Sequence, residues 1–141
     1  MSEKVNFSLR NIANHQLVSL SDFTGKPVIL QFWVSWCPDC MREVPLLNQF
    51  YESMRSEQIV VISINVSGRE GSSEQRDEFI SRNHISIPVL KDKGTEVYDQ
   101  FGCKGVPTTV LLSADHTVQE VYGDKDTFPN MLHGISGLLT R

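Results

Sequence analysis

The run Pro27-Val28-Ile29-Leu30-Gln31-Phe32-Trp33-Val34 delivers the chain directly into Ser35-Trp36-Cys37-Pro38-Asp39-Cys40. This join constrains the fold more than any other feature. A nearly continuous apolar run rich in strand formers reads as a central strand buried on both faces. Pro38 suits the first position of a helix, because it has no N–H to lose and its φ is already helical. The two cysteines therefore stand at the carboxyl end of a strand and the mouth of a helix, where ligands and chemistry gather in open α/β sheets.

The spacing has chemical meaning. Residues three apart share a helix face, so Cys40 lies one turn beyond Cys37. The first amides of a helix lack internal partners and carry positive dipole character. Sulfurs in such motifs ionise more readily than free thiols. Cys37 is the candidate attacking sulfur and Cys40 the candidate resolving sulfur. Asp39 pulls two ways, since its carboxylate favours the helix start and repels a neighbouring thiolate.

Other readings of the pair are a structural disulfide or part of a zinc site. A four-thiolate site needs a second pair, and only Cys103 remains. His15, His84, His116 and His133 show no H-x₃₋₅-H spacing. A structural bridge closing so short a loop would constrain little of the unfolded chain. No metal and no cofactor is expected.

With 141 residues, 40% hydrophobic and 21% charged, the chain is expected to form one soluble domain spanning residues 1–141. Its net charge of −4, with no basic run, argues against a nucleic-acid partner. Met1 to Asn6 is polar and lacks the apolar core of a signal peptide. No run approaches the ~18 apolar residues of a membrane span. As given, the sequence reads as a cytoplasmic monomer with no membrane segment; a trimmed leader would make it extracytoplasmic and membrane-anchored.

Along the chain, Val5 to Leu9 alternates like a strand, and Gln16 to Leu20 returns as its hairpin partner. Ser21-Asp22-Phe23 reads as a helical turn stopped by Gly25. Gln31 interrupts the central strand; it is either a satisfied core amide or a support for water or a side chain beneath Cys40. The helix from Pro38 carries Met41, Val44, Leu47, Phe50, Tyr51 and Met54 as its apolar stripe, bent but not ended by Pro45. Glu43, three residues past Cys40, faces back toward the pair. There it could take a proton during resolution, or be an ordinary exposed glutamate.

Ile59 to Ile64 is a second buried strand, followed by a flexible loop, Ser67 to Ser73. Ser72 and Gln75 have capping-box spacing for a helix bearing Phe79 and Ile80, with His84 a favourable charge at its end. Ile87 to Leu90 is a short strand, and Val97, Tyr98 and Phe101 mark a helix stopped at Gly102. Thr108 to Leu112 is a strand preceded by Val106-Pro107, whose bond could be cis or trans. Ser113 to His116 turns into an edge strand, Val118 to Tyr122. Asp126 or Thr127 caps a last helix with Met131, Leu132, Ile135, Leu138 and Leu139 on one face.

Phe32-Trp33…Trp36-Cys37-x-x-Cys40 followed by Gly105-Val106-Pro107-Thr108 resembles the paired signature of the thioredoxin fold. The run Ser19 to Lys26 and Cys40-x-x-Glu43-x-Pro45 resemble thiol–disulfide oxidoreductases of the TlpA/ResA type. The resemblance implies a three-layer α/β/α sandwich with a central mixed sheet and an N-terminal β-hairpin extension. It implies that Pro107 is a cis proline facing the cysteines, that the Val106 backbone pairs with bound substrate, and that Trp36 flanks the site. It further implies that Glu43 is a buried glutamate near the cysteines. Gln31 stands where thioredoxin has a buried acid, so that role does not carry over. Three departures accompany it: Asp39 stands where proline is usual, Cys103 where an aliphatic residue is usual, and no leader is visible.

The expected activity is exchange of a Cys37–Cys40 disulfide with protein thiol or disulfide partners, as a reductant recharged by an upstream donor. A peroxidase on the same fold is one alternative. Its P-x-x-x-T/S-x-x-C signature needs Thr or Ser where Val34 stands. A non-enzymatic module binding a metal or partner through the pair is the other.

Overall fold

The computed structural model describes residues 5–54 and 57–139. The polar stretch Met1 to Lys4, part of the signal-peptide reading, lies outside the described residues. Among the described residues seven strands form one mixed sheet: β1 (Ser8–Asn11), β2 (Leu17–Ser19), β3 (Val28–Trp33), β4 (Val60–Asn65), β5 (Val89–Lys91), β6 (Thr108–Leu112) and β7 (Val118–Tyr122). Their order is β2-β1-β5-β4-β3-β6-β7. The helices are α1 (Pro38–Met54), α2 (Ser73–Arg82), α3 (Glu96–Gln100) and α4 (Phe128–Leu139).

The apolar run becomes the middle of the sheet. All six residues of β3 are buried, parallel to β4 on one side and antiparallel to β6 on the other. Its alternate residues face different layers, as the pleat requires. Ile29 packs with Leu47 of α1 and Ile135 of α4, and the ring of Trp33 lies 5.0 Å from that of Phe79 on α2. On the opposite face, Phe32 meets Tyr98 of α3 and Phe101. The three-layer arrangement thus follows from one strand with two apolar faces.

Local choices depart from the sequence reading in instructive ways. The first strand begins at Ser8, not Val5, because Phe7 gives its carbonyl to Leu20 and the Asn6 side chain takes the Ser21 amide. Met41 stands outside the buried stripe, 49% exposed, because the face of α1 toward the sheet is Cys40, Glu43, Val44, Leu47 and Asn48. Leu132 and Leu139 are exposed while Met131, Ile135 and Leu138 are buried. The Asp126 carboxylate turns back to the Gly123 amide at 2.7 Å and so does not cap α4; the Thr127 carbonyl accepts the Met131 amide. α1 runs through Pro45 as a single helix.

The Ser67 to Ser73 segment, expected to be a flexible loop, is tied at several points. Gly68 donates to Gly94, Ser67 donates its hydroxyl to the Asp92 carbonyl, and Arg69 reaches the Tyr98 hydroxyl. The end of α2 is closed by backbone geometry. His84 adopts φ 50°, donates to the Ser81 carbonyl and is followed by an Ile85-to-Ile80 bond, the paired pattern of a Schellman motif. No helix among the described residues is long and apolar enough to cross a membrane.

Candidate active site

β3 ends at Trp33, and Val34 and Ser35 carry the chain to the start of α1. The Cys37 carbonyl accepts the Met41 amide at 3.0 Å, so Cys37 is the residue that opens the helix, with Pro38 at its first position. The Cys40 amide donates to the Cys37 sulfur at 3.4 Å. The sulfur therefore occupies the place of a capping oxygen, which normally accepts an amide two or three residues on. Both cysteines are free and buried, at 7% and 0% exposure.

The sulfur of Cys37 also lies 3.5 Å from the Val106 carbonyl, to which its thiol can donate. Val106-Pro107 is cis, both residues are buried, and Thr108 closes the turn by donating to the Gly105 carbonyl at 2.7 Å. Two segments far apart in sequence thus meet over one sulfur.

The two thiols differ in environment. Burial pushes the Cys40 thiol well above the ordinary range, and the neighbouring Cys37 and Asp39 push it the same way. Cys103 is half-buried, and burial pushes its thiol up to about 11. It packs against the core, as a small apolar loop residue does.

Glu43 lies on the buried face of α1, at 4% exposure. Its Oε1 accepts from Arg42 Nε at 3.3 Å, while Oε2 is buried without a partner. Arg42 also pairs with Asp39 at 3.0 Å, so the charge beside the cysteines that could repel a thiolate is itself partnered. Gln31 is half-satisfied: its amide donates to Thr109 Oγ1 at 3.4 Å, and its oxygen has no partner. Trp36 is 49% exposed, with its indole N–H fixed on the Arg69 carbonyl at 2.8 Å. Trp36 and Met41 line one groove beside α2.

Cys37, Cys40, Val106 and Pro107 are brought together, Trp36 borders them, and Glu43 lies on the Cys40 face of α1. One residue carried no sequence signal. Glu70 receives four hydrogen bonds, two from Ser35 and one each from Asn65 and Gly71. Only a separation of 35 positions, invisible in local spacing, brings it to the site. Among the described residues no group of three or more His, Cys, Asp and Glu side chains is placed to hold a metal ion.

The AhpC/TSA family matches residues 2–121. The thiol-disulfide oxidoreductase ResA of Halalkalibacterium halodurans is 30% identical over 120 residues, covering 85% of this chain and 66% of that protein. The sporulation thiol-disulfide oxidoreductase A of Bacillus subtilis is 28% identical over 96 residues, 68% of this chain and 58% of that one. The chain thus spans less than two thirds of the length of these two relatives. Among solved structures, StoA from Bacillus subtilis superposes with a TM-score of 0.79 at 23% identity, over 94% of this chain and 98% of that one. A thiol-disulfide isomerase from Corynebacterium glutamicum gives 0.84 at 20% identity, over 99% and 97%. These two likenesses establish a thioredoxin-like fold.

Proposed function

The chain belongs to the AhpC/TSA family of thioredoxin-fold proteins, and from that premise we propose that it is a thiol–disulfide oxidoreductase acting on protein partners. The observation that carries this reading is the Cys37 sulfur held on the Cys40 amide at the mouth of α1, facing the Val106 carbonyl. That sulfur has a reaction partner one turn away and an approach bordered by Trp36.

The Cys37 thiolate attacks one sulfur of a partner disulfide. The partner's S–S bond breaks, and its other sulfur leaves as a thiolate and takes a proton from solvent. Cys40 then loses its proton and attacks the Cys37 sulfur. The mixed disulfide breaks, the second partner sulfur leaves, and the Cys37–Cys40 bond forms. Two electrons have passed to the partner, and an upstream dithiol donor must restore the pair. Glu43 is the proton acceptor for Cys40, a role supported by its burial and its unpartnered Oε2. The Val106 backbone aligns the partner chain beside Cys37, and Trp36 forms the flank.

Reduction of the partner is the proposed direction. A reduction potential nearer −270 than −120 mV is expected. The peroxidase alternative is not better supported, since Val34 stands where its signature needs a hydroxyl.

The test is trapping. Cys40→Ser should accumulate partner proteins linked through Cys37, released by dithiothreitol, and Cys37→Ser should trap none. A Cys40→Ser chain that holds no partner, together with a parent chain that fails to reduce insulin, would overturn the reading.

A further inference from the structure

The loop between β4 and α2 grips the two residues that precede Cys37. Glu70 Oε2 accepts the Ser35 amide at 2.9 Å and the Asn65 side-chain amide at 2.7 Å. Glu70 Oε1 accepts the Ser35 hydroxyl at 2.6 Å and the Gly71 amide at 2.9 Å. A carboxylate offers about four acceptor sites, and neutral donors fill four here. Next to it, the Arg69 carbonyl takes the Trp36 indole N–H. Arg69 is anchored in turn, its guanidinium on the Tyr98 hydroxyl at 2.6 Å and over the same ring at 5.6 Å.

These bonds do little for the helix that carries the cysteines. α1 is seated on the sheet by Val44 and Leu47, whereas Cys37 only caps its start and the turn before it has no sheet pairing. The position of the Cys37 main chain relative to Cys40 is therefore set from outside the helix as well as by the bond of its carbonyl to the Met41 amide. We propose that Glu70 is a positioning residue for disulfide closure: by holding Ser35, with Arg69 holding Trp36, it keeps Cys37 within reach of the attacking Cys40 sulfur. This rests on the exchange reading above.

The chemistry to watch is the closing step alone. In a Cys103→Ser chain, 5,5′-dithiobis(2-nitrobenzoate) reacts with Cys37, releasing one thionitrobenzoate and leaving the other bound through a disulfide. Cys40 then loses its proton, attacks the Cys37 sulfur, and expels the second thionitrobenzoate with the bonding pair. No protein partner is needed. Misplacement by about 1 Å can cost 10²-fold in such steps. Glu70→Gln, which replaces one acceptor oxygen by a donor, should slow the second release about tenfold and leave the first within about twofold. Ser35→Ala, which removes only the hydroxyl contact, should slow it about threefold. Glu74→Gln, which removes an exposed charge from α2, should change neither.

Equal second-release rates in the parent, Glu70→Gln and Ser35→Ala chains would overturn the inference. So would a slowdown shared equally by both releases, the mark of general loosening, or an equal slowdown in Glu74→Gln, the mark of bulk charge. If Glu70→Gln does not fold, Ser35→Ala decides alone: slower closing supports the inference and unchanged closing overturns it. A parent chain that never releases the second thionitrobenzoate removes the exchange reading and this inference with it, whereas a parent that closes no faster than Glu70→Gln removes this inference only.

Discussion

The amide of Cys40 is directed at the sulfur of Cys37 across 3.4 Å, so the candidate nucleophile is also the cap of the helix that carries its partner. Capping side chains contribute about 1 kcal/mol relative to alanine. A serine hydroxyl can take over the acceptor role, and alanine cannot. Cys37→Ser should therefore exceed Cys37→Ala in unfolding free energy by about 1 kcal/mol in urea titrations, while both lose disulfide exchange completely. Equal stabilities would show that the sulfur does not act as a cap.

Glu43 and Cys40 give a pH prediction. Burial holds the Cys40 thiol protonated well into the alkaline range, so without a local acceptor its thiolate fraction rises about tenfold per pH unit. A carboxylate that takes the proton in the transition state makes the rate less steep and faster near neutrality; such assistance contributes roughly 10²–10⁴-fold. Glu43→Gln should slow release of the second thionitrobenzoate at pH 7 by at least about tenfold. Its logarithmic rate should then climb with a slope near one between pH 6 and 9, against a shallower slope for the parent. Equal rates and slopes would remove Glu43 from proton transfer.

The central strand and the cysteine-bearing helix were legible because each rests on a local signal, whereas the residues left Val106-Pro107 open between cis and trans and only the resemblance to the thioredoxin fold implied the cis bond that is found. β3 is an apolar run broken only by Gln31, and α1 opens at Cys37-Pro38. What escaped depends on distance. Nothing near Glu70 in sequence marks it as the acceptor for Ser35, and the loop holding it reads as flexible because Ser, Gly and charged residues dominate it. Met41 fits a helical stripe by spacing, yet the stripe that forms is rotated toward Glu43 and Asn48. There the helix has polar partners to satisfy, as when Asn48 Oδ1 accepts the Ser86 and Ile87 amides. Spacing gives the existence of an apolar face; which residues line it is decided by what lies opposite.

The raised thiols predict alkaline sensitivity. An unfolded thiol ionises near 9.0, whereas Cys103 in the folded chain does so only at about 11, and Cys40 higher still. Above pH 9 the unfolded chain binds fewer protons than the folded one, so stability falls as pH rises. The contribution is fully present below pH 9, and the Cys103 part is lost progressively up to about pH 11. Urea midpoints of the reduced protein should decline across that window. The decline should be shallower in Cys103→Ala, and also in Cys40→Ala. Parallel curves for all three proteins would mean that the folded and unfolded thiols titrate alike.

His84 predicts a gain in stability. It closes α2 in the left-handed region, with φ 50°, where a side chain with a Cβ carries a cost of roughly 1–2 kcal/mol and glycine does not. The contacts that define the motif are made by its backbone: its amide on Ser81, its carbonyl receiving the Asn48 side-chain amide at 3.3 Å, and Ile85 returning to Ile80. The side chain is exposed. Glycine also adds freedom to the unfolded chain, which offsets part of the benefit. His84→Gly should therefore raise the unfolding free energy by about 0.5–1 kcal/mol, with the urea m-value and both thionitrobenzoate release rates unchanged. A loss of stability would show that the imidazole makes a contribution larger than the strain it brings.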